Sequence, residues 1–242
     1  MTALPRAILF DLDDTIISAY SRPDAAWLVV VDEFADRLAP LPPLAVMEAV
    51  MTESRISWED PAWQQRWRMR LNEARRGIVI GAFRRLAAAG HAIPSDEVAV
   101  ALADRYSAYR QEQMHLFPGA HAVIDGWKQR GVKLALVTNG AAEVQRAKIA
   151  RFDLAHRFDH IQIEGEHDFG KPDERAYRHA LAALDADPAT TWMVGDNLEW
   201  EVAAPQRLGI FAIWHDLLGE GLPPGSAIRP DRIIRSFAEL MP

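Results

Sequence analysis

The sequence predicts an α/β fold, a mostly parallel sheet flanked by helices, with an all-helical domain inserted after the first strand. Three observations predict it. A short apolar run near the N-terminus, Ala7–Leu12, ends in acidic residues and reads as a buried strand. The block from about Ala25 to Gln113 has helical patterning and few strand-like runs. After Phe117-Pro118-Gly119, short apolar runs and helical segments alternate to the C-terminus.

Each element follows from its residues. In the helical block, breaks are expected at Pro40–Pro43, near Gly77 and at His91–Pro94. The block holds Trp27, Trp58, Trp63 and Trp67, four of the eight tryptophans. Beyond it, a helix over Ala120–Arg130 stops at Gly131, and a strand follows at Lys133–Thr138. Then come a helix from about Ala142 to Arg151, a strand at about His160–Glu164 and a helix starting at Pro172. A strand at Thr191–Val194 leads through Gly195-Asp196 into a helix reaching Leu208. Strands at Ile210–Trp214 and near Arg232–Ile234 close the list. The expected domains are a core of 1–17 with 115–242, and an insert of 18–114.

Composition narrows the function. The chain has 242 residues, 49% of them hydrophobic, enough for a sizeable core without covalent staples. With no cysteine, a disulfide scaffold, a thiol nucleophile and Cys-ligated metal are excluded. The net charge of −7 and the lack of a basic stripe speak against nucleic acid as a partner. The longest strongly apolar run, Ala25–Val31, is too short to span a bilayer. No signal-peptide pattern opens the chain, so a soluble, cytoplasmic protein is expected. Arginine outnumbers lysine 23 to four, the lysines being Lys128, Lys133, Lys148 and Lys171. Each lysine therefore raises the question of whether arginine would have served.

Four short stretches could carry chemistry. Phe10-Asp11-Leu12-Asp13-Asp14-Thr15 ends the first strand with three carboxylates. In an extended chain Asp11 and Asp13 share a side. At about 4 Å two such charges repel by about 4 kcal/mol at an effective dielectric of 20. A solvated turn is the usual meaning of an isolated D-x-D; a carboxylate nucleophile with a divalent cation is the functional one. Asp196 follows another buried strand, where open α/β sheets bind ligands, although alone it reads as a helix N-cap. With water, Asp11 and Asp196 could hold Mg²⁺. Thr138-Asn139-Gly140 offers a hydroxyl, an amide and backbone N–H groups before a helix, an anion site or simply a capping turn. In Gly170-Lys171-Pro172-Asp173 the lysine lies just before a helix N-terminus, where a cation is unfavourable without an anionic partner.

The order of these four stretches is far more specific than any one of them. Here the sequence resembles the haloacid dehalogenase-like hydrolase superfamily, mostly phosphatases. The matching stretches are FDLDDT, LVTNG, GKPD and VGDNLEWEVAAPQRLGI, with LFPGA resembling the re-entry from an inserted cap. The TNG…EGE…KPD wording is similar to N-acylneuraminate-9-phosphatases and their relatives.

The resemblance implies a Rossmann-like three-layer core with a parallel sheet, an inserted α-helical cap and Mg²⁺ as cofactor. It implies Asp11 as nucleophile, Asp13 as general acid/base, Thr138 and Asn139 as phosphate-binding, and Lys171 as stabiliser of nucleophile and phosphoryl oxygens. The metal would be held by Asp11, Asp196 and the backbone carbonyl of Asp13. The family often has Asn-Asp where this chain has Trp200-Glu201, and Glu201 could order a metal-bound water. The expected substrate is a small phosphorylated metabolite. Arg75 and Arg76 are candidates to contact its non-reacting part, or else solvated surface charges. A phosphomutase, a dehalogenase and a non-enzymatic binding module are the alternatives. The second acid, Asp13, argues against a dehalogenase, and four intact motif centres argue against a degenerate site. The eight histidines are scattered, and His156, His160 and His179 share no helical face, so surface or core roles are expected of them.

Overall fold

A computed structural model describes residues 4–242. In chain order the elements are β1 (Ala7–Phe10), β2 (Ile17–Ser18), α1 (Pro23–Glu33), α2 (Ala35–Leu38), α3 (Pro43–Glu59), α4 (Pro61–Trp67), α5 (Leu71–Ala88) and α6 (Asp96–Gln113). They continue as β3 (His115–Leu116), α7 (Ala120–Gln129), β4 (Lys133–Thr138), α8 (Ala142–Arg151), β5 (His160–Ile163) and α9 (Glu174–Leu184). The last are β6 (Thr191–Gly195), α10 (Ala204–Arg207), β7 (Phe211–His215) and β8 (Arg232–Ile234). Two compact units result: the chain up to Ser18 with His115–Pro242, and Ala19–Met114. Ser18 belongs to the first unit because β2 pairs antiparallel with β3, Ile17 opposite Leu116 and Ser18 opposite His115.

The first unit is built on a six-stranded sheet in the order β5-β4-β1-β6-β7-β8, parallel throughout. All four residues of β1 are buried, as a central parallel strand covered on both faces requires. Successive side chains alternate between the faces. Ala7 and Leu9 pack with Tyr177, Ala180, Leu181 and Leu184 of α9. On the opposite face the Phe10 ring meets Phe158 and Phe237. α7 buries Val123, Ile124 and Trp127, and the Trp127 indole donates to the Leu240 carbonyl at 2.8 Å. Helices thus cover both faces, the three-layer arrangement the sequence predicts.

Several details differ from expectation, three of them for a clear local reason. β1 stops at Phe10 because the chain turns: the Ile16 and Ile17 N–H groups both reach the Leu12 carbonyl. Asp14 adopts φ 57° in that turn, a left-handed conformation that aspartate tolerates better than most residues. α9 starts at Glu174 rather than Pro172, because Asp173 is its N-cap and accepts from the Arg175 N–H. The segment after β6 is a π-helix, Leu198–Ala203, before it tightens into α10. Asn197, not Asp196, caps it by accepting from the Glu199 and Trp200 N–H groups.

The second unit is helical. α1, α3, α5 and α6 pack around a core that includes Val30, Val46, Val79, Phe83 and Leu102. The Trp27 and Tyr106 rings stack inside it, 3.8 Å apart and 6° from parallel. The break expected near Gly77 is absent, since α5 runs unbroken from Leu71 to Ala88. A Cβ on Gly77 would lie 3.1 Å from the Trp63 ring, so this glycine makes room for an aromatic instead of ending a helix. The break falls at Arg68–Arg70, between α4 and α5.

Candidate active site

The site lies in the first unit, at the carboxyl ends of the central strands. β1 is flanked by β4 and β6, with Phe10 beside Leu136 and Val194. The chain runs outward through β4 and β5, then returns to the other side of β1 as β6. This reversal is the switch point at which open α/β sheets bind ligands. Asp11 follows β1, Thr138 ends β4 and Asp196 follows β6. Sheet pairing thus gathers residues far apart in sequence.

Asp11 is 7% exposed. The Lys171 ammonium, itself 1% exposed, donates to its Oδ1 at 2.5 Å. Lys171 also pairs with Glu201 Oε1 at 2.8 Å. Burial pulls the lysine pKa down, but Asp11 and Glu201 outweigh it and raise it above the ordinary value. The two carboxylates supply the anionic partner that the sequence demanded of this lysine. Burial raises the Asp11 pKa, opposed by Lys171 and assisted by Asp13. Glu201 is pushed up to about 7, mainly by burial, with Lys171 opposing.

The neighbouring motif residues fix Lys171 in place. Asn139 accepts from the Lys171 N–H at 2.9 Å and donates to the Lys171 carbonyl at 2.6 Å. Its amide meets main chain at both ends, so Asn139 holds the Lys171 backbone in place. Glu201 Oε2 accepts from the Asn197 N–H at 2.8 Å. Glu201 therefore meets the Lys171 ammonium through one oxygen and the Asn197 N–H through the other. Gly195 is what lets Glu201 in: a Cβ there would lie 2.0 Å from Glu201 Cγ.

Asp13 is held by two residues that the motif reading passed over. Lys148 donates to its two oxygens at 2.8 and 2.7 Å. The Gln145 amide donates to Asp13 Oδ2 at 3.0 Å and to Thr138 Oγ1 at 2.5 Å. Both lie on α8, one turn apart. The scarcity of lysine was the available signal for Lys148; nothing in the sequence singled out Gln145.

The donor set fits a divalent cation. Loss of solvent pushes the Asp196 pKa well above its ordinary value, and the Glu201, Asp11 and Asp14 carboxylates add to the rise. The charges of Glu201, Asp11 and Asp14 all bear on Asp196, with Lys171 opposing them, and a bound divalent ion would relieve the excess. Among the described residues no three acidic or histidine side chains form a ready-made metal cage. Mg²⁺ needs none, because it keeps several waters and uses one or two carboxylates.

The arginine candidates separate within the helical unit. Arg76 is bound to Asp104 at 2.7 and 2.9 Å in an exposed pair. Arg75 lines a cavity of about 300 Å³ with Tyr20, Trp27, Trp58 and Tyr106. Its Nη1 donates to Ser107 at 3.1 Å and its guanidinium lies over the Tyr106 ring. The histidines are less scattered than their spacing suggests: the His179 ring sits 5.3 Å from His160 and 4.8 Å from His167.

A family model for haloacid dehalogenase-like hydrolases matches residues 5–209, and the chain belongs to that family. Phosphoserine phosphatase of Thermus thermophilus is 41% identical over 109 residues, 45% of this chain and 43% of that protein. N-acylneuraminate-9-phosphatase of Rattus norvegicus is 33% identical over 113 residues, 46% of this chain and 45% of that one. The matched stretch spans less than half the length of either relative. The fold is shared with the HAD-hydrolase YfnB of Bacillus subtilis, whose crystal form is described as bound to magnesium. The TM-score is 0.70 at 24% identity, covering 98% of this chain and 97% of that one. Among the described residues no helix is long and apolar enough to cross a membrane.

Proposed function

We propose that the protein is a Mg²⁺-dependent phosphatase that hydrolyses small phosphate monoesters through an aspartyl-phosphate on Asp11. The observation that carries this reading is the buried Asp11 carboxylate held by Lys171 at a strand end, beside the carboxylate excess around Asp196. The phosphatase names of the aligned relatives support it.

A phosphate monoester is dianionic, and a carboxylate nucleophile must overcome that charge. Asp11, Asp196 and the Asp13 carbonyl would hold Mg²⁺, which when bound supplies compensating charge and polarises the phosphoryl oxygens. Lys171 adds a fixed positive charge in a site largely closed to water. Thr138 and the Asn139 N–H receive the equatorial oxygens, while the Gly140 N–H donates to Glu164. An Asp11 oxygen attacks phosphorus and the bond to the leaving alkoxide breaks. Protonated Asp13 gives its proton to that alkoxide. The resulting carboxylate then takes a proton from water as the water attacks the acyl phosphate. Inorganic phosphate leaves, and both aspartates return to their starting states.

Arg75, with donors unclaimed among the described residues, is the group proposed to read an anionic or acceptor end of the substrate. Arg76, committed to Asp104, is left out of that role. The test is phosphate release from a panel of sugar phosphates, nucleotides and phosphorylated acids, with and without Mg²⁺. Activity unaffected by exhaustive chelation would overturn the metal, and no turnover of any ester would overturn the reading.

A further inference from the structure

We infer that Lys148 and Gln145 are positioning residues that set the posture of the Asp13 carboxylate and so govern how the leaving group is protonated. This rests on the phosphatase reading of the site.

Lys148 is 6% exposed and Gln145 is 2% exposed. Burying an ammonium is costly unless it is paired and hydrogen-bonded. Lys148 meets that condition through Asp13, touching both oxygens. Lys148 lies in the last turn of α8, where a cation also suits the helix dipole.

The placement follows from the sheet. β4 lies beside β1, with Leu136 next to Phe10. The Thr138-Asn139-Gly140 turn leads directly from β4 into α8. α8 then returns two side chains to the turn that follows β1. The β4–α8 connection therefore carries the phosphate-binding threonine and both groups that hold Asp13. Gln145 joins them, because its amide nitrogen reaches Asp13 Oδ2, Thr138 Oγ1 and the Asn139 carbonyl at 3.0, 2.5 and 3.0 Å.

Asp13 needs such a hold. It stands two residues from Asp11 in the segment where the chain turns after β1, and Lys148 draws its carboxyl group toward α8. The Asp13 side chain remains 17% exposed, enough for one edge to meet a leaving oxygen. Fixing its direction matters more for an alkoxide, which leaves only when protonated, than for a nitrophenolate, which needs little help.

The test is a double-mutant cycle read on two leaving groups. Lys148→Met keeps side-chain bulk and removes the cation. It is expected to lower kcat for an alkyl phosphate such as glycerol phosphate by about 10- to 100-fold. For p-nitrophenyl phosphate the loss should be several times smaller, with KM little changed. Lys148→Arg should recover part of the alkyl activity. In an Asp13→Asn background, Lys148→Met should add almost nothing, because the residue through which it acts is gone. If Lys148→Met does not fold, Lys148→Gln keeps a polar donor while removing the charge and carries the same cycle with a smaller loss. Equal losses on both esters, or a full Lys148 effect without Asp13, overturn the positioning role while leaving the phosphatase reading intact. A folded wild-type protein inert toward every phosphate ester overturns both.

Discussion

The two units use charge in opposite ways. In the helical unit, ion pairs sit on the outside: Arg76–Asp104, Arg85–Glu53 and Arg105–Glu33 link helices across partly exposed surface. Its interior is mainly aliphatic and aromatic, and its buried guanidinium, Arg110, donates to the Ala19 and Ser21 carbonyls. The α/β unit buries Lys171 between Asp11 and Glu201, and Lys148 against Asp13. Exposed pairs add little stability, and buried ones often add none relative to an apolar replacement. The buried charges of the first unit are therefore better explained by chemistry than by folding. The helical unit is mainly a packing solution, and Arg75, which lines a cavity beside aromatic rings, stands out against that background.

The contrast can be tested, beginning where the effect should be largest. Asp11→Asn keeps the shape and removes the nucleophile, so turnover should fall by about 10⁴-fold or more while thermal stability is kept. A phosphoenzyme trapped by acid quench in that variant would move the nucleophile elsewhere.

Glycines offer the next comparison. Gly195→Ala drives a methyl into Glu201, with the nearest atom 2.0 Å away in a fully packed interior. It should cost about 1–3 kcal/mol or more in thermal unfolding and disturb Lys171 with it. Gly81→Ala in α5 meets the flexible Glu53 side chain, whose carboxylate oxygen would lie 2.7 Å away. The helix gains about 1 kcal/mol from alanine, offsetting that displacement, so stability should barely move. Equal losses at the two glycines would erase the distinction between the units.

The pH dependence follows from the raised carboxylates. Glu201 titrates near 7 in the folded protein against an ordinary value of 4.5, so the folded state holds a proton that the unfolded chain has lost. Its contribution to stability is full below about 4.5 and disappears as pH rises through 7. Asp196 and Asp11 shift in the same direction. Mg²⁺ requires ionised carboxylates, so the rise in Tm on adding Mg²⁺ should be small at pH 5 and larger at pH 8. Asp196→Asn should abolish that rise. A metal effect independent of pH would contradict the carboxylate set.

The smallest effect belongs to the helical unit. Arg75→Ala should raise KM several-fold for an anionic natural substrate and leave p-nitrophenyl phosphate nearly untouched. Arg76→Ala should do neither, since it removes only an exposed ion pair.

The same contrast explains what the sequence could disclose. Asp11, Thr138 and Asp196 are legible because each stands at the end of a short apolar strand, and Lys171 because of its place before a helix. Those features are local. Lys148 and Gln145 became part of the site only because β4 pairs with β1, a non-local fact that no spacing reveals. Asn139 and Glu201 were legible as participants, but their work on Lys171 depends on partners 32 and 30 residues away in sequence. In the helical unit, Gly77 misled because a helix breaker and a seat for an indole ring look alike without Trp63 beside it. His160, His167 and His179 gather for the same reason: strand, turn and helix converge from separate stretches of chain.

The π-helix at Leu198–Ala203 has a consequence best put as an insertion. Such a helix is an α-helix with one residue too many, and each residue of an ordinary helix turns the chain by about 100°. Deleting Trp200 would let this segment relax to ordinary pitch and swing Glu201 about a quarter turn away from Lys171. Trp200 is 37% exposed, and its carbonyl accepts from the Tyr177 hydroxyl. What counts at this position is therefore the extra peptide unit and not the indole. A polar residue there would leave the lysine anchored equally well, so the chain's departure from the family pattern at this place changes a side chain while preserving the spacing that the chemistry uses.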